Sequence, residues 1–295
     1  MNIKPFLAIP VKIMITCLAI GGAWLHLKAE SNLHFRLVDS TLIVVTLNAS
    51  RGDSFDFVFD TGTDTTVVDP SIASRLSFVP AERMRVVTLR NMNFVLRGTI
   101  PSLSAGPFHV DNVPVLVKDL ANMRKLDSHI VGIVGQSFLS HFNYLIDYRK
   151  HLVSIESGNE IRDNTEGEHV EIESTENRMM VASEAQSRGN AKLRLVLDSG
   201  THSVVLLRAA SQGLSIPKQE TVLEETSDGQ VELQKGRLQV LTVGSQKLHD
   251  IAALLIPVEP PVRMGDGLLP MMLFRAVYVN NHEGFVIFNP RTRKE

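Results

Sequence analysis

The sequence predicts an all-β protein built from two similar halves, and three observations carry that prediction. After residue 40 short β-branched runs alternate with turn residues, helical periodicity is sparse, and the stretch around Asp60 returns around Asp198. Length and composition agree with it. A chain of 295 residues holds one large or two modest domains, and 44% hydrophobic against 21% charged residues excludes wholesale disorder, a polytopic membrane protein and a coiled coil.

The N-terminal 29 residues stand apart. Lys4 and Lys12 precede an apolar run of 13 residues, Ile13 to Leu25, followed by His26, Lys28 and Glu30. This is the layout of a signal peptide, and it predicts export to a periplasmic or extracellular site. A membrane span needs about 20 apolar residues. Pro5 to Val11 is also apolar, so an uncleaved signal anchor over residues 6–27, holding the protein to the inner membrane, is the alternative. Ala23 and Ala29 both offer a cleavage end. Cys17 lies inside the apolar run and reads as a hydrophobic filler. As the chain's single cysteine it excludes an internal disulfide framework, a cysteine zinc site and a CxxC redox centre.

Strands are predicted at Leu42 to Leu47, Asp56 to Phe59, Thr65 to Val68, Arg85 to Leu89 and Val113 to Val117, from their β-branched and apolar content between turn residues. Two short helices are predicted. One runs from Pro70 to Leu76, capped by Asp69 with Pro70 in the first helical position, and the other from Gln136 to Phe142. Hairpins are expected at Tyr144 to Ile155 and Val277 to Phe288. These elements give a first lobe at 30–156, a charged linker at 157–168 and a second lobe at 169–295.

Self-comparison supports the two lobes. Asp56 to Thr63 (DFVFDTGT) aligns with Arg194 to Thr201 (RLVLDSGT), 138 residues further on, and at the same offset Val67 meets Val205, Ala73 meets Ser211 and Leu76 meets Leu214. Gly132-Ile133-Val134-Gly135 with Phe138-Leu139 matches Gly267-Leu268-Leu269-Pro270 with Leu273-Phe274.

The repeated tripeptide is chemically unusual. An ionised carboxylate directly after a buried apolar strand loses several kcal/mol of solvation unless it is paired, and this sequence places one there twice. Gly62 and Gly200 permit a tight turn and close approach of another backbone. Thr61 and Ser199 can bond backbone across the turn, while Thr63 and Thr201 are positioned to donate to the carboxylates. If a pseudo-twofold axis relates the halves, Asp60 and Asp198 meet on it. Two carboxylates about 3 Å apart share one proton, so one can activate water while the other donates.

Asp60-Thr61-Gly62, Asp198-Ser199-Gly200 and the Gly132 to Gly135 block resemble the retropepsin-like aspartic peptidases, in a bacterial-looking form with two lobes in one chain. The resemblance covers residues 40–290. It implies a bilobal acid-protease-like β fold, a cleft between lobes, peptide-bond hydrolysis without metal or cofactor, and a β-hairpin flap. It also implies Asp60 and Asp198 as catalytic acids, with Thr61, Gly62, Thr63, Ser199, Gly200 and Thr201 supporting them. The partner it implies is a peptide or protein substrate. A monomer is expected, because one chain holds both acids.

Two departures stand out. Pro270 replaces the family's glycine and removes an N–H beneath Asp198. Only the second half shows a clear flap signal, Asp228-Gly229 between Val222 and Val231.

Competing readings are weaker. Asp before Gly is commonly a turn residue, which would suffice for one copy but not for two with apolar flanks. Asp64 reads as a solvated turn residue and Asp147 as hairpin surface. The ten histidines lack HExxH or close ligand pairs. Gly52-Asp53-Ser54 is not continued into a serine-hydrolase signature, and no GxSxG occurs. A net charge of −2 without a dense basic block gives nucleic acid no footprint. The main functional alternatives are a catalytically inactive peptide-binding or scaffold module on the same fold, and a membrane-bound protease that cuts its own chain or one neighbour.

Overall fold

The computed structural model describes residues 30–87, 92–216, 220–226, 229–256 and 265–293. The N-terminal apolar segment and Asp228 therefore lie outside the described residues. The chain forms two eight-stranded sheets with the same strand order and a six-stranded sheet that joins them.

In the first lobe the order is Arg36–Val38, Leu42–Ala49, Ser54–Phe59, Ile130–Val134, Thr66–Val68, Phe108–Val117, Met92–Ala105 and Val79–Val87. A further pairing of Leu42–Ala49 with Met92–Ala105 curls the sheet on itself. The second lobe repeats this with Glu173–Thr175, Arg178–Gln186, Asn190–Asp198, Gly267–Pro270, Val204–Leu206, Gln246–Leu255, Gly229–Val243 and Thr221–Thr226. Arg178–Gln186 closes onto Gly229–Val243 in the same way.

The strands that lead to the two acids are buried on both faces at their ends. Phe57 and Phe59 point into the main core, as do Leu195 and Leu197, while Val58 joins a second cluster with Val44, Val67 and Ile133. That explains their continuous apolar sequence, since a strand covered on both sides has no polar face to alternate. Each pairs in parallel with the repeated glycine-led block of its own lobe, Phe59 opposite Val134 and Leu197 opposite Leu269.

The hairpins predicted at the end of each half meet in the joining sheet. Asn143–Asp147 pairs with Ala276–Asn280, Tyr144 opposite Val279 and Ile146 opposite Val277. Asp147 accepts from the N–H groups of Arg149 and Lys150 in the hairpin turn. Glu156 ends one strand of this sheet fully buried, accepting from the Tyr278 hydroxyl at 2.8 Å and from Ile161 N at 2.5 Å. Burial holds its carboxyl above the usual range. Within the segment 157–168 the chain makes one helical turn, Glu160–Asp163, and a two-residue strand against Arg291–Thr292.

Asp69 caps the helix Pro70–Ala73 through Ser71 N, as expected, but it does more. Only 2% exposed, it also accepts from Leu120 N at 2.9 Å and pairs with Arg124. It thereby fixes Ala121–Leu126, a helix that sequence periodicity did not reveal, and this helix packs against Thr221–Thr226 of the other lobe. Removing a buried partner leaves the remaining donors unpaired. Asp69→Ala is expected to lower stability by about 3 kcal/mol, read by chemical denaturation.

Candidate active site

Asp60 follows the strand Ser54–Phe59 and Asp198 ends the strand Asn190–Asp198. Their loops interlock across the lobe boundary. Thr61 N donates to Ser199 Oγ and Ser199 N to Thr61 Oγ1, both at 3.0 Å. Each hydroxyl in turn donates to the carbonyl preceding the opposite Asp, Thr61 to Leu197 O at 2.9 Å and Ser199 to Phe59 O at 2.8 Å. Four reciprocal bonds make the pseudo-twofold axis a physical contact. Thr61 and Ser199 are both essentially buried, so loss of either hydroxyl would strand a backbone carbonyl.

The glycines explain how close the acids lie. A Cβ on Gly62 would sit 2.7 Å from the Cγ and Oδ2 atoms of Asp198, and a Cβ on Gly200 would sit 3.0 Å from the Cγ of Asp60. Each carboxylate rests on the opposite loop's glycine while accepting from its own: Gly62 N to Asp60 Oδ1 at 2.9 Å, Gly200 N to Asp198 Oδ1 at 2.7 Å. Gly62→Ala is expected to displace Asp198 and reduce any activity by about a hundredfold, because misplacement of a reacting group by 1 Å costs that much. Gly200→Ala should cost less, its clash being softer. Steady-state rates of the two variants check the order.

The symmetry then breaks. Thr63 Oγ1 donates to Asp60 Oδ2 at 2.7 Å, as expected, but Thr201 Oγ1 turns to Ser203 O at 3.3 Å and leaves Asp198. The expectation that both threonine hydroxyls serve their carboxylates is corrected for Thr201, whose backbone N–H alone bonds Asp198. Burial raises the pKa of Asp60, opposed by the bonds from Thr63 and Gly62. Burial raises that of Asp198 well above the carboxylate range, and the charge of Asp60 adds to it. The Thr63 hydroxyl, a donor that Asp198 lacks, favours the charge on Asp60 and the shared proton on Asp198.

Pro270 does change its loop. Where the first lobe makes a helical turn, Gln136–Leu139, the second makes a 3-10 turn, Met271–Leu273. The expected loss beneath Asp198 has a match, however. In the first lobe Gly135 N donates to Thr66 Oγ1 at 3.2 Å, and the residue equivalent to Thr66 in the second lobe is Val204. The donor and its acceptor are replaced together, so Pro270 orphans no polar group. Replacing both partners by apolar groups is close to neutral, unlike replacing one.

Hairpins occur in both lobes at equivalent positions, Val79–Val87 with Met92–Ala105 and Thr221–Thr226 with Gly229–Val243. The sequence signalled only the second, whose pairing brings Thr226 opposite Gly229. The first was hidden because it lacks a glycine turn signal. Asp64 is not simply solvated: Arg178 of the second lobe lies 3.4 Å from its Oδ2, a pairing across the lobes that no local pattern announces. Among the described residues no group of three or more His, Cys, Asp or Glu side chains is placed to hold a metal ion.

An aspartyl protease family model matches the chain twice, over residues 44–138 and 183–273. The chain belongs to the aspartyl protease family. The two matches fall one on each lobe, and each includes one of the paired loops. No curated protein gives a significant match to this aspartyl protease family member.

Proposed function

We propose that the protein is an aspartic endopeptidase that hydrolyses peptide bonds with water activated by Asp60 and Asp198. The observation that carries this reading is the unequal environment of two carboxylates held against each other by interlocked loops. Asp60, charged and steadied by Thr63, takes a proton from water as its oxygen attacks the peptide carbonyl carbon. Asp198 gives its proton to the carbonyl oxygen, and a gem-diol forms. Asp60 then passes its proton to the leaving nitrogen, the C–N bond breaks, and Asp198 recovers a proton from a diol hydroxyl. The dyad ends as it began, so no cofactor is consumed.

Purified protein incubated with a random peptide pool, beside an Asp60→Asn control, tests this reading. Internal cleavage by the parent alone supports it. Cleavage that survives Asp60→Asn combined with Asp198→Asn, or that needs an added metal, removes it. Binding of peptides without cleavage by either would favour the scaffold alternative.

The protein is proposed to act as a monomer, since each lobe supplies one acid, and an obligate dimer in sedimentation would contradict this. Export is proposed from Lys4 and Lys12 ahead of the apolar run, with the β body on the far side of the membrane. Among the described residues no helix is long and apolar enough to cross a membrane. A reporter fused at Glu295 that works only in the cytoplasm would overturn the export proposal.

A further inference from the structure

Behind each Asp loop lies the turn that follows its supporting strand, and the two turns are chemically opposite. In the first lobe the turn is polar and bonded to the loop at every step. Gln136 Nε2 donates to Thr61 O at 2.8 Å, Gln136 N to Thr63 O at 2.9 Å and Ser137 N to Asp64 O at 3.0 Å. Thr66 N donates to Ser137 Oγ at 2.9 Å, and that hydroxyl lies 2.9 Å from both Thr66 Oγ1 and Pro114 O. Gln136 itself is 2% exposed. In the second lobe the residues equivalent to Thr66, Gln136 and Ser137 are Val204, Met271 and Met272. None of these side chains has a hydrogen to donate. Met271 is fully buried, and its Sδ lies 3.2 Å from Thr61 Oγ1, against the other lobe's loop.

The lobe with the bonded turn is also the one whose threonine reaches its carboxylate. Thr63 follows Thr61 by two residues, and both carbonyls are held by Gln136, one through the amide side chain and one through the backbone. That fixes the segment from which the Thr63 hydroxyl points to Asp60. Thr201, on the loop with an apolar turn behind it, bonds its own backbone neighbourhood instead.

We propose that Gln136 is a positioning residue: by holding the Thr61 carbonyl it keeps the Thr63 hydroxyl on Asp60, and so decides that the first lobe supplies the charged, water-activating half of the pair. Met271 leaves the second lobe without that hold, so Asp198 becomes the proton-bearing half. The two copies of one loop are thereby given different work by a single amide. The proposal rests on the peptidase reading for its meaning in catalysis, but not for its measurement.

The groups around the pair leave the effect legible. Tyr148, whose phenol is pushed up chiefly by burial, stays neutral throughout the working range. Asp64 faces Arg178. The main titrating neighbours of Asp60 and Asp198 are each other.

The experiment is a carbon-13 NMR titration of the aspartate carboxyls in the full chain, with the two signals assigned through Asp60→Asn and Asp198→Asn. Thr63→Val is expected to raise the proton affinity of Asp60 about tenfold, the effect of one lost bond to a carboxylate. Gln136→Met, which copies the second lobe, should raise it in the same direction and add little in the Thr63→Val background. Gln136→Asn keeps an amide in the turn but is one methylene too short for Thr61 O, and it should act likewise if Gln136→Met does not fold. A folded Gln136 variant with unchanged Asp60 titration, or one whose effect adds in full to that of Thr63→Val, overturns the proposal. If the titrations move as stated while no peptide is cut, the positioning role stands and the peptidase reading falls. Cleavage with unmoved titrations gives the reverse.

Discussion

Asn at Asp60 or at Asp198 should reduce peptide cleavage by at least about a thousandfold, the upper part of the range for a positioned acid or base. The two losses have different causes. Asn at 60 leaves no group to take the proton of water, and Asn at 198 leaves no proton for the carbonyl oxygen. The parent should follow a bell in pH, because only the singly protonated pair works. On the acid side the pair gains its second proton, and on the alkaline side it loses its last. Burial raises both, which moves the bell above the strongly acidic range, while the Thr63 bond holds its acid limb down. A mildly acidic optimum is expected. The limbs belong to the coupled pair, and kcat/KM measured across pH in each single variant separates them.

Asp198→Asn should also stabilise the fold at neutral pH, and the gain should vanish in acid. The folded protein holds a proton on Asp198 that the unfolded chain releases near the ordinary aspartate value of 3.8. Between that value and the raised one the folded state binds more protons, so stability falls as pH rises through the interval. An amide resembles the protonated acid and has nothing to lose. The variant's melting temperature should therefore exceed the parent's at pH 7, by about 2–4 °C for each kcal/mol relieved. The two curves should converge below the ordinary value. A difference that persists unchanged into strong acid would mean that the repulsion and burial of Asp198 are not what the native state bears.

The bilobal β fold was legible because duplication is a sequence property. The eight-residue stretch around Asp60 has a counterpart around Asp198 at an offset of 138, and the block at Gly132 has one at Gly267 at an offset of 135. The candidate pair was legible for the same reason, since an acid after a buried strand conflicts with local physics and a repeated conflict points to a function. The helix Ala121–Leu126 was not legible. Its fixing partner, Asp69, lies 51 residues before Leu120, beyond any periodicity window. The first-lobe hairpin was not legible because it carries no glycine turn signal, and Val79–Val87 is held only by its pairing with Met92–Ala105, which in turn pairs with Phe108–Val117. Pro270 would leave an acceptor unpaired if the second lobe kept a threonine at the position of Thr66, but Val204 stands there, a compensation that only the folded contact between Gly135 and Thr66 makes legible.

The sequence by itself determined which chemistry this chain can carry: two acids, two glycines and two hydroxyls at matching positions, and one cysteine too few for a disulfide. Local patterns contain residue type and spacing, and these are enough for that. Only the tertiary structure decided how the halves differ. Whether Thr63 or Thr201 bonds its carboxylate, whether Arg178 reaches Asp64, and what stands behind each loop depend on groups far apart in the chain. Hydrogen bonds act over about 3 Å of space, and a repeat that is symmetric in sequence becomes unequal when its two copies fold against different neighbours.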